Sequence, residues 1–306
     1  MTPTAFILIF ISLLMHSLWH FLCKKSGKSS MTFFAIFSTA LFLTVFSIGV
    51  WSGLLFKIPW HIYKFAMIGA FFGVFCDVGL MLAYRSSDIS LAYPMARALP
   101  VLFTFAATTV FGWGKALSVW AALGMLVIFA GCVCMCFTGG RAEDSLRSKF
   151  IAVRKGLLGI VIAALGTTGY TISDSFGIKS IMVFAEGSNS ILTAATYSTC
   201  REITATVMLW IIVSAYSSRT SEKGLCKELI KSPTPYVAGV FAALAYLLIL
   251  VAMNHVTNVS FVQAFRQLSL PVSAALGFIV LKEKVSLMRL ASLAMIMAGL
   301  VMCVIK

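Results

Sequence analysis

Ten stretches of about 20 predominantly apolar residues run through this 306-residue chain, separated by short charged or Gly/Pro/Ser-rich breaks. A helix of that length crosses the ~30 Å hydrocarbon core of a bilayer. The stretches fall at 4–23, 32–55, 63–84, 89–111, 117–137, 156–177, 189–215, 235–254, 259–281 and 286–305. With 60% hydrophobic and 11% charged residues, the chain has too little polar surface for a water-soluble domain. The expected fold is an all-α polytopic membrane protein of ten transmembrane helices. Met1 to Cys23 reads as the first span rather than a cleavable leader, because its lysines, Lys24, Lys25 and Lys28, follow the apolar run.

The formal charge of +14 could suggest nucleic acid, but the Lys and Arg residues are scattered among short connections with no basic domain to hold them. A topogenic role fits better, and no nucleic-acid partner is expected. Sixteen of the 24 Lys and Arg lie in alternate connections (1–2, 3–4 and so on, with Arg289), against five on the other side. The positive-inside rule then places the first group in the cytoplasm and both termini outside. The eight cysteines are dispersed through apolar runs, and Cys132, Cys134 and Cys136 point to different sides of a helix. Neither a disulfide framework nor a zinc site is expected.

The chain divides almost in half. Residues 1–138 and 156–306 each hold five stretches, and 139–155 is a basic connecting loop. The halves correspond weakly: Arg97 aligns with Arg266, Pro100 with Pro271 and Ala130-Gly131 with Ala298-Gly299, at offsets of 168–171. An odd number of spans per copy inverts the second copy. Inverted five-helix repeats are a mark of secondary transporters, whose sites lie near the midplane between repeats around a central cavity.

Two matching segments are out of place in lipid. Ser-Leu-Ala-Tyr-Pro-Met-Ala-Arg97-Ala-Leu-Pro100 and Ser260-Phe-Val-Gln-Ala-Phe-Arg266-Gln-Leu-Ser-Leu-Pro271 each join a serine, an arginine and a proline. A charge at the bilayer centre costs roughly 2.5–3.5 kcal/mol on insertion scales, and each proline removes a helix hydrogen bond that lipid cannot replace. The two segments should therefore wall one site. A guanidinium keeps its charge and presents a planar fork that suits carboxylate or phosphate. The competing reading is that each arginine neutralises Asp77 or Asp174 and locks helices together.

Helical spacing groups the remaining candidates. His16, Trp19 and His20 share one face of span 1, Tyr93 and Arg97 a face of span 4, Tyr170 and Asp174 a face of span 6, while Gln263 and Arg266 lie close on span 9. Arg97, Arg266, Tyr93, Trp19, Tyr170, Gln263 and His20 are the candidate substrate contacts. Asp174, Asp77 and His16 are the candidates for proton coupling or gating, since burial and a nearby arginine push a carboxylate in opposite directions. Metal binding by His16 and His20 lacks a third ligand nearby in sequence. Arg201 and Glu202, adjacent and pointing in different directions, read as structural.

The order and spacing of these motifs resemble the EamA-type ten-helix members of the drug/metabolite transporter superfamily over nearly the whole chain. The resemblance rests on Trp19 with Lys24 and Lys25, on Ser90–Pro100, on Gly-Tyr-Thr-Ile-Ser-Asp174, and on Leu281-Lys-Glu283-Lys-Val-Ser before an Ala-Gly-containing last span. Phe111-Gly-Trp-Gly-Lys115, the first-half counterpart of the Glu283 region, lacks the usual acid. The resemblance implies a central cavity, alternating access and movement of small metabolites, commonly export. In several relatives it implies cytoplasmic termini, opposite to the charge count.

The function expected is secondary active transport, as an exporter, of a small carboxylate- or phosphate-bearing metabolite, amino-acid-like or a derivative, across the cytoplasmic (inner) membrane. The alternative in the same class is a broad exporter of aromatic or toxic compounds. An intramembrane enzyme lacks a supporting motif, so no enzyme activity and no cofactor are expected. The partners expected are the solute, the bilayer and protons, with the chain a monomer or a homodimer.

Overall fold

A computed structural model describes residues 2–26, 30–86, 89–137, 146–217, 223–272 and 286–305, with side chains at all but positions 20–21, 23–26, 84–86, 89–94, 136, 146–150, 152–153, 216–217 and 223–225. Among the described residues all regular structure is helical: α1 (Pro3–Ser26), α2 (Met31–Gly49), α3 (Trp60–Ser86), α4 (Ile89–Val110), α5 (Val119–Cys136), α6 (Leu146–Phe184), α7 (Ser190–Ser217), α8 (Lys223–Lys231), α9 (Pro233–Asn254), α10 (Val259–Phe265) and α11 (Leu287–Met302). Four stretches are long and apolar enough to cross a membrane: Met31–Ser52, Trp60–Ala83, Arg154–Phe184 and Pro233–Asn254. Shorter apolar helices cover Pro3–Trp19, Met95–Val110, Val119–Met135 and Leu287–Met302. At 28 residues α7 is as long as the four, but it carries Arg201 and Glu202 near its middle.

Local chemistry sets the helix starts. Ser30, Ser118 and Ser286 each accept a hydrogen bond from the backbone N–H three residues on, at 3.2 Å, and so cap α2, α5 and α11. Two elements depart from expectation. Helix α6 begins at Leu146, so the second half of the 139–155 connection is helical, and its 39 residues reach about 58 Å. The polar connection after α7 contains the amphipathic helix α8, whose Leu229 is buried in a cluster with Phe33, Ile36, Phe37, Leu41 and Val45 of α2 and Ala238, Ala242 and Ala243 of α9. One well-placed leucine among lysines escapes a search for long apolar runs.

The chain forms two compact units, each drawing on both sequence halves. The first holds Pro3–Asp77 and Gly169–His255; the second holds Val78–Thr168 and Val256–Lys306, with the two N-terminal residues. In the first, α1 packs along α9, and α2 along α7 and α9. Ser12 donates to the Ala245 carbonyl at 2.7 Å, the Ser38 and Thr206 hydroxyls pair at 2.8 Å, and Trp210 Nε1 donates to Thr39 Oγ1 at 2.9 Å. These short side chains satisfy one another between helices that lipid would leave unpaired.

In the second unit α5 packs along α11, and α4 against α5 and α10. The α5–α11 contact is reciprocal. A Cβ on Gly131 would stand 2.9 Å from Ile296 Cγ1 and 3.0 Å from the Ser292 carbonyl; one on Gly299 would stand 2.8 Å from Ile128 Cγ1 and 2.6 Å from the Gly124 carbonyl. The connection between α4 and α5 turns at Gly112 and Gly114, with φ of 64° and 95°, a region other residues seldom enter. It is strapped to the segment before α10: Lys115 N–H donates to the Thr257 carbonyl at 3.0 Å, and Asn258 Nδ2 to the Lys115 carbonyl at 3.1 Å.

The glycine contacts give a direct expectation. Gly131→Val and Gly299→Val should each lower the thermal unfolding midpoint of purified protein, by an overpacking cost of about 1–3 kcal/mol. Combined, they should cost less than the sum, because both open one interface. Unchanged midpoints for both single variants would contradict the packing.

Candidate functional site

Each unit holds its own concentration of polar side chains. In the first, Asp174 on α6 is fully buried and Arg201 on α7 is 7% exposed. Arg201 Nε lies 3.0 Å from Asp174 Oδ2, with its N–H not aligned for a linear hydrogen bond, so the contact is an ion pair. The same guanidinium contacts the Glu202 carboxylate through Nη1. Two tyrosines complete the carboxylate: Tyr197 donates its hydroxyl to Asp174 Oδ1 at 2.8 Å, and Tyr246 donates to Oδ2 at 2.6 Å. The guanidinium also stands over the rings of Tyr170, at 5.3 Å, and Tyr246, at 5.0 Å, within cation–π range.

Four helices shape the cluster, with Tyr246 contributed by α9. Tyr170 and Asp174 sit one turn apart on α6, and Tyr197 and Arg201 one turn apart on α7, as helical periodicity requires. On α3, Gly69 and Gly73 leave room for the charged groups: a Cβ on Gly69 would strike Asp174 Oδ1, and one on Gly73 would come within 3.0 Å of Arg201 Nη2. Asp77 on α3 lies within electrostatic reach of Arg201. The cluster therefore sets one guanidinium against the carboxylates of Asp174 and Glu202, with Asp77 close by. Burying a charge costs several kcal/mol unless attraction and hydrogen bonds offset it, and here tyrosines and rings supply both.

In the second unit the two sequence-matched arginines meet. Pro271 cannot donate a backbone hydrogen bond, and α10 gives way at Phe265 to a 3-10 turn over Arg266–Leu268. Arg97 Nη2 on α4 donates to the Arg266 carbonyl at 2.9 Å and to Ser269 Oγ at 2.6 Å. Ser269 Oγ donates to the same carbonyl at 2.9 Å. A guanidinium thus stands where the α-helix tightens into a 3-10 turn, with the backbone right-handed helical on both sides of it. Arg266 is 5% exposed. Lower in the same seam, the hydroxyls of Thr108 and Ser260 pair at 2.8 Å.

The other sequence candidates are placed as follows. Trp19 Nε1 donates to His16 Nδ1 at 3.0 Å, with the rings edge to face, and Trp19 packs against Phe37 of α2. These two are engaged with each other and the α2 cluster. The side chains of His20 and Tyr93, and the Glu283 motif, lie outside the described residues. Gln263 is buried on α10 beside Arg266. Arg201, Tyr197 and Tyr246 were not among the candidates. Adjacent Arg201 and Glu202 diverge by about 100° on a helix, yet the long arginine side chain spans that angle and they pair. Tyr197 and Tyr246 gave no signal beyond being single polar groups in apolar helices. Among the described residues no group of three or more His, Cys, Asp and Glu could hold a metal.

No described protein family matches the sequence, and no curated protein does. A solved crystal structure of a protein shares the fold with a TM-score of 0.69 at 14% identity, over 99% of this chain and 98% of the other.

The ion cluster predicts an asymmetric mutational response. Arg201→Met leaves the Asp174 carboxylate without its ion-pair partner and should destabilise by about 3–5 kcal/mol. Adding Asp174→Asn should recover part of that loss, read as unfolding midpoints in detergent or nanodiscs. A double variant less stable than Arg201→Met alone would contradict the pairing.

Proposed function

We propose that the chain is a secondary active transporter of the cytoplasmic (inner) membrane, an exporter of a small metabolite bearing a carboxylate or phosphate, working by alternating access. Its ten spans form two inverted five-helix repeats, 1–138 and 156–306, of the EamA type within the drug/metabolite transporter superfamily. The observation that carries this reading is the Arg97 guanidinium held on the Arg266 carbonyl, where α10 tightens into a 3-10 turn. A 3-10 turn within a helix often marks a functional hinge, and a buried charge in an apolar helix marks a solute or ion path.

Three further observations support it. The α5–α11 contact pairs Gly131 with Ile296 and Gly299 with Ile128. Gly131 and Gly299, like Ile128 and Ile296, stand 168 residues apart, so one contact occurs twice with the copies exchanged. Second, large apolar side chains stand exposed on the helices, among them Phe6, Ile7, Phe10, Leu158, Val183 and Ile211, as a lipid-facing surface needs. Third, exposed aromatics mark two connections with few lysines, Trp51, Phe56 and Trp60 before α3, and Phe111, Trp113 and Trp120 around the α4–α5 turn. Tryptophan belts lie at membrane interfaces.

In this reading the arginines Arg97 and Arg266 take the solute's anionic group, with Gln263 beside them. The Asp174 cluster couples transport to protons. A proton arriving at Asp174 removes the charge that holds Arg201 to α6, while Glu202 keeps the guanidinium on α7. The α6–α7 contact then has two arrangements, which a conformational cycle requires.

Reconstitution in proteoliposomes tests both roles. Arg97→Ala and Arg266→Ala should abolish flux while leaving folded, membrane-inserted protein, and normal flux by both would remove the anion site. Asp174→Asn should retain solute exchange but lose stimulation by an imposed proton gradient. Undiminished stimulation would clear Asp174 of coupling.

A further inference from the structure

The seam between α4 and α10 contains more than its arginines. Its two ends are tied, by Thr108 to Ser260 at one and by Arg97 to Arg266 and Ser269 at the other. Between these ties α4 contributes Thr104, which shares the face of Arg97 and Thr108 at helical spacing, and the facing segment contributes Gln263 and Gln267. All three are buried, at 0%, 2% and 0% exposure. Gln263 Oε1, Gln267 Oε1 and Thr104 Oγ1 have no hydrogen-bond partner among the described residues.

The orientation of one amide is settled by its own contact. Gln267 Nε2 donates to the Gln263 carbonyl at 3.1 Å. Turning the amide over would set two acceptors against each other, so Oε1 is the atom left without a donor. A buried carbonyl oxygen without a donor costs about 1–3 kcal/mol, and this seam holds two of them beside a buried hydroxyl that can accept as well. Carbonyl oxygens only accept. What satisfies them brings N–H or O–H donors, and an ammonium brings three.

We propose that Gln263, Gln267 and Thr104 form a donor-reading subsite beside the arginine pair, and that the transported solute is a zwitterion whose amine or amide N–H enters it. This rests on the anion-site reading above and narrows it: Arg97 and Arg266 take the carboxylate or phosphate, and the seam acceptors take the nitrogen. A simple organic acid would fill the first and leave the second unsatisfied. Sites built to bond a donor discriminate strongly against analogues that lack it, because the buried acceptors are then stranded.

Matched probes test the subsite. Thermal shift of the purified protein would be titrated with L-alanine against propionate, L-phenylalanine against 3-phenylpropionate, and phosphoethanolamine against ethyl phosphate. The amine-bearing member of a pair should reach its half-maximal shift at about tenfold lower concentration or better, the size of one hydrogen bond to a charged donor. Gln267→Met and, where that variant does not fold, Gln263→Met should shrink the gap to within about twofold. Gln267→Met should not move the half-maximal concentration of the deaminated partner.

Equal shifts by both members in the wild-type protein, or a gap that survives both substitutions, overturn the subsite and leave the anion site standing. A solved complex with the amine beyond hydrogen-bond reach of Gln267 Oε1 and a water in its place does the same. Binding by no member of any pair would remove the anion site together with the subsite.

Discussion

A bilayer core donates and accepts no hydrogen bonds, so each polar group that these helices carry into it must be met by another part of the chain. That constraint organises the structure more than apolar packing does. Serine and threonine hydroxyls close on carbonyls and on each other between helices, as at Ser12, Ser38 and Thr206. Tyr197 and Tyr246 spend their hydroxyls on one buried carboxylate. Glycine is used where a side chain would stand in the way, and at Gly69 and Gly73 the space goes to charged groups rather than to a neighbouring backbone.

The two units meet the constraint differently, and the difference divides the proposed labour. In the first, a fixed positive charge is surrounded by carboxylates and aromatic faces, so its environment changes with a single proton. In the second, Arg97 answers a backbone carbonyl at a 3-10 turn, and a backbone cannot be titrated. The first arrangement suits coupling and the second suits holding a solute. In the second unit Gln263 and Gln267 also each bury an acceptor that no described residue meets.

Much of this was legible in the residues, and what was not has a physical reason. Apolar runs located the long helices, because length and hydropathy are local properties. The serine–arginine–proline pattern pointed to the Arg97–Arg266 seam, since a charge beside prolines is costly against lipid, although α4 runs unbroken through Pro94 and Pro100. The shared 168-residue offset marked Gly131 and Gly299 as equivalent positions, but that they meet across α5 and α11 is tertiary packing. The partner of Asp174 was not legible: Arg201 looked like half of a neighbouring pair with Glu202, and only tertiary packing brings α6 and α7 to the same point. Helix α8 was missed because nine residues with four charges make no long apolar run, and the early start of α6 because charged first turns read as loop.

The central claim is that the buried arginines line a water-filled path rather than a dry seam. Thiol accessibility measures this directly, with Arg97→Cys in a cysteine-free background exposed to a water-soluble, membrane-impermeant methanethiosulfonate. Modification from the aqueous phase is the expected result. A cysteine at position 97 that resists the water-soluble reagent and yields only to a lipid-soluble maleimide would contradict it.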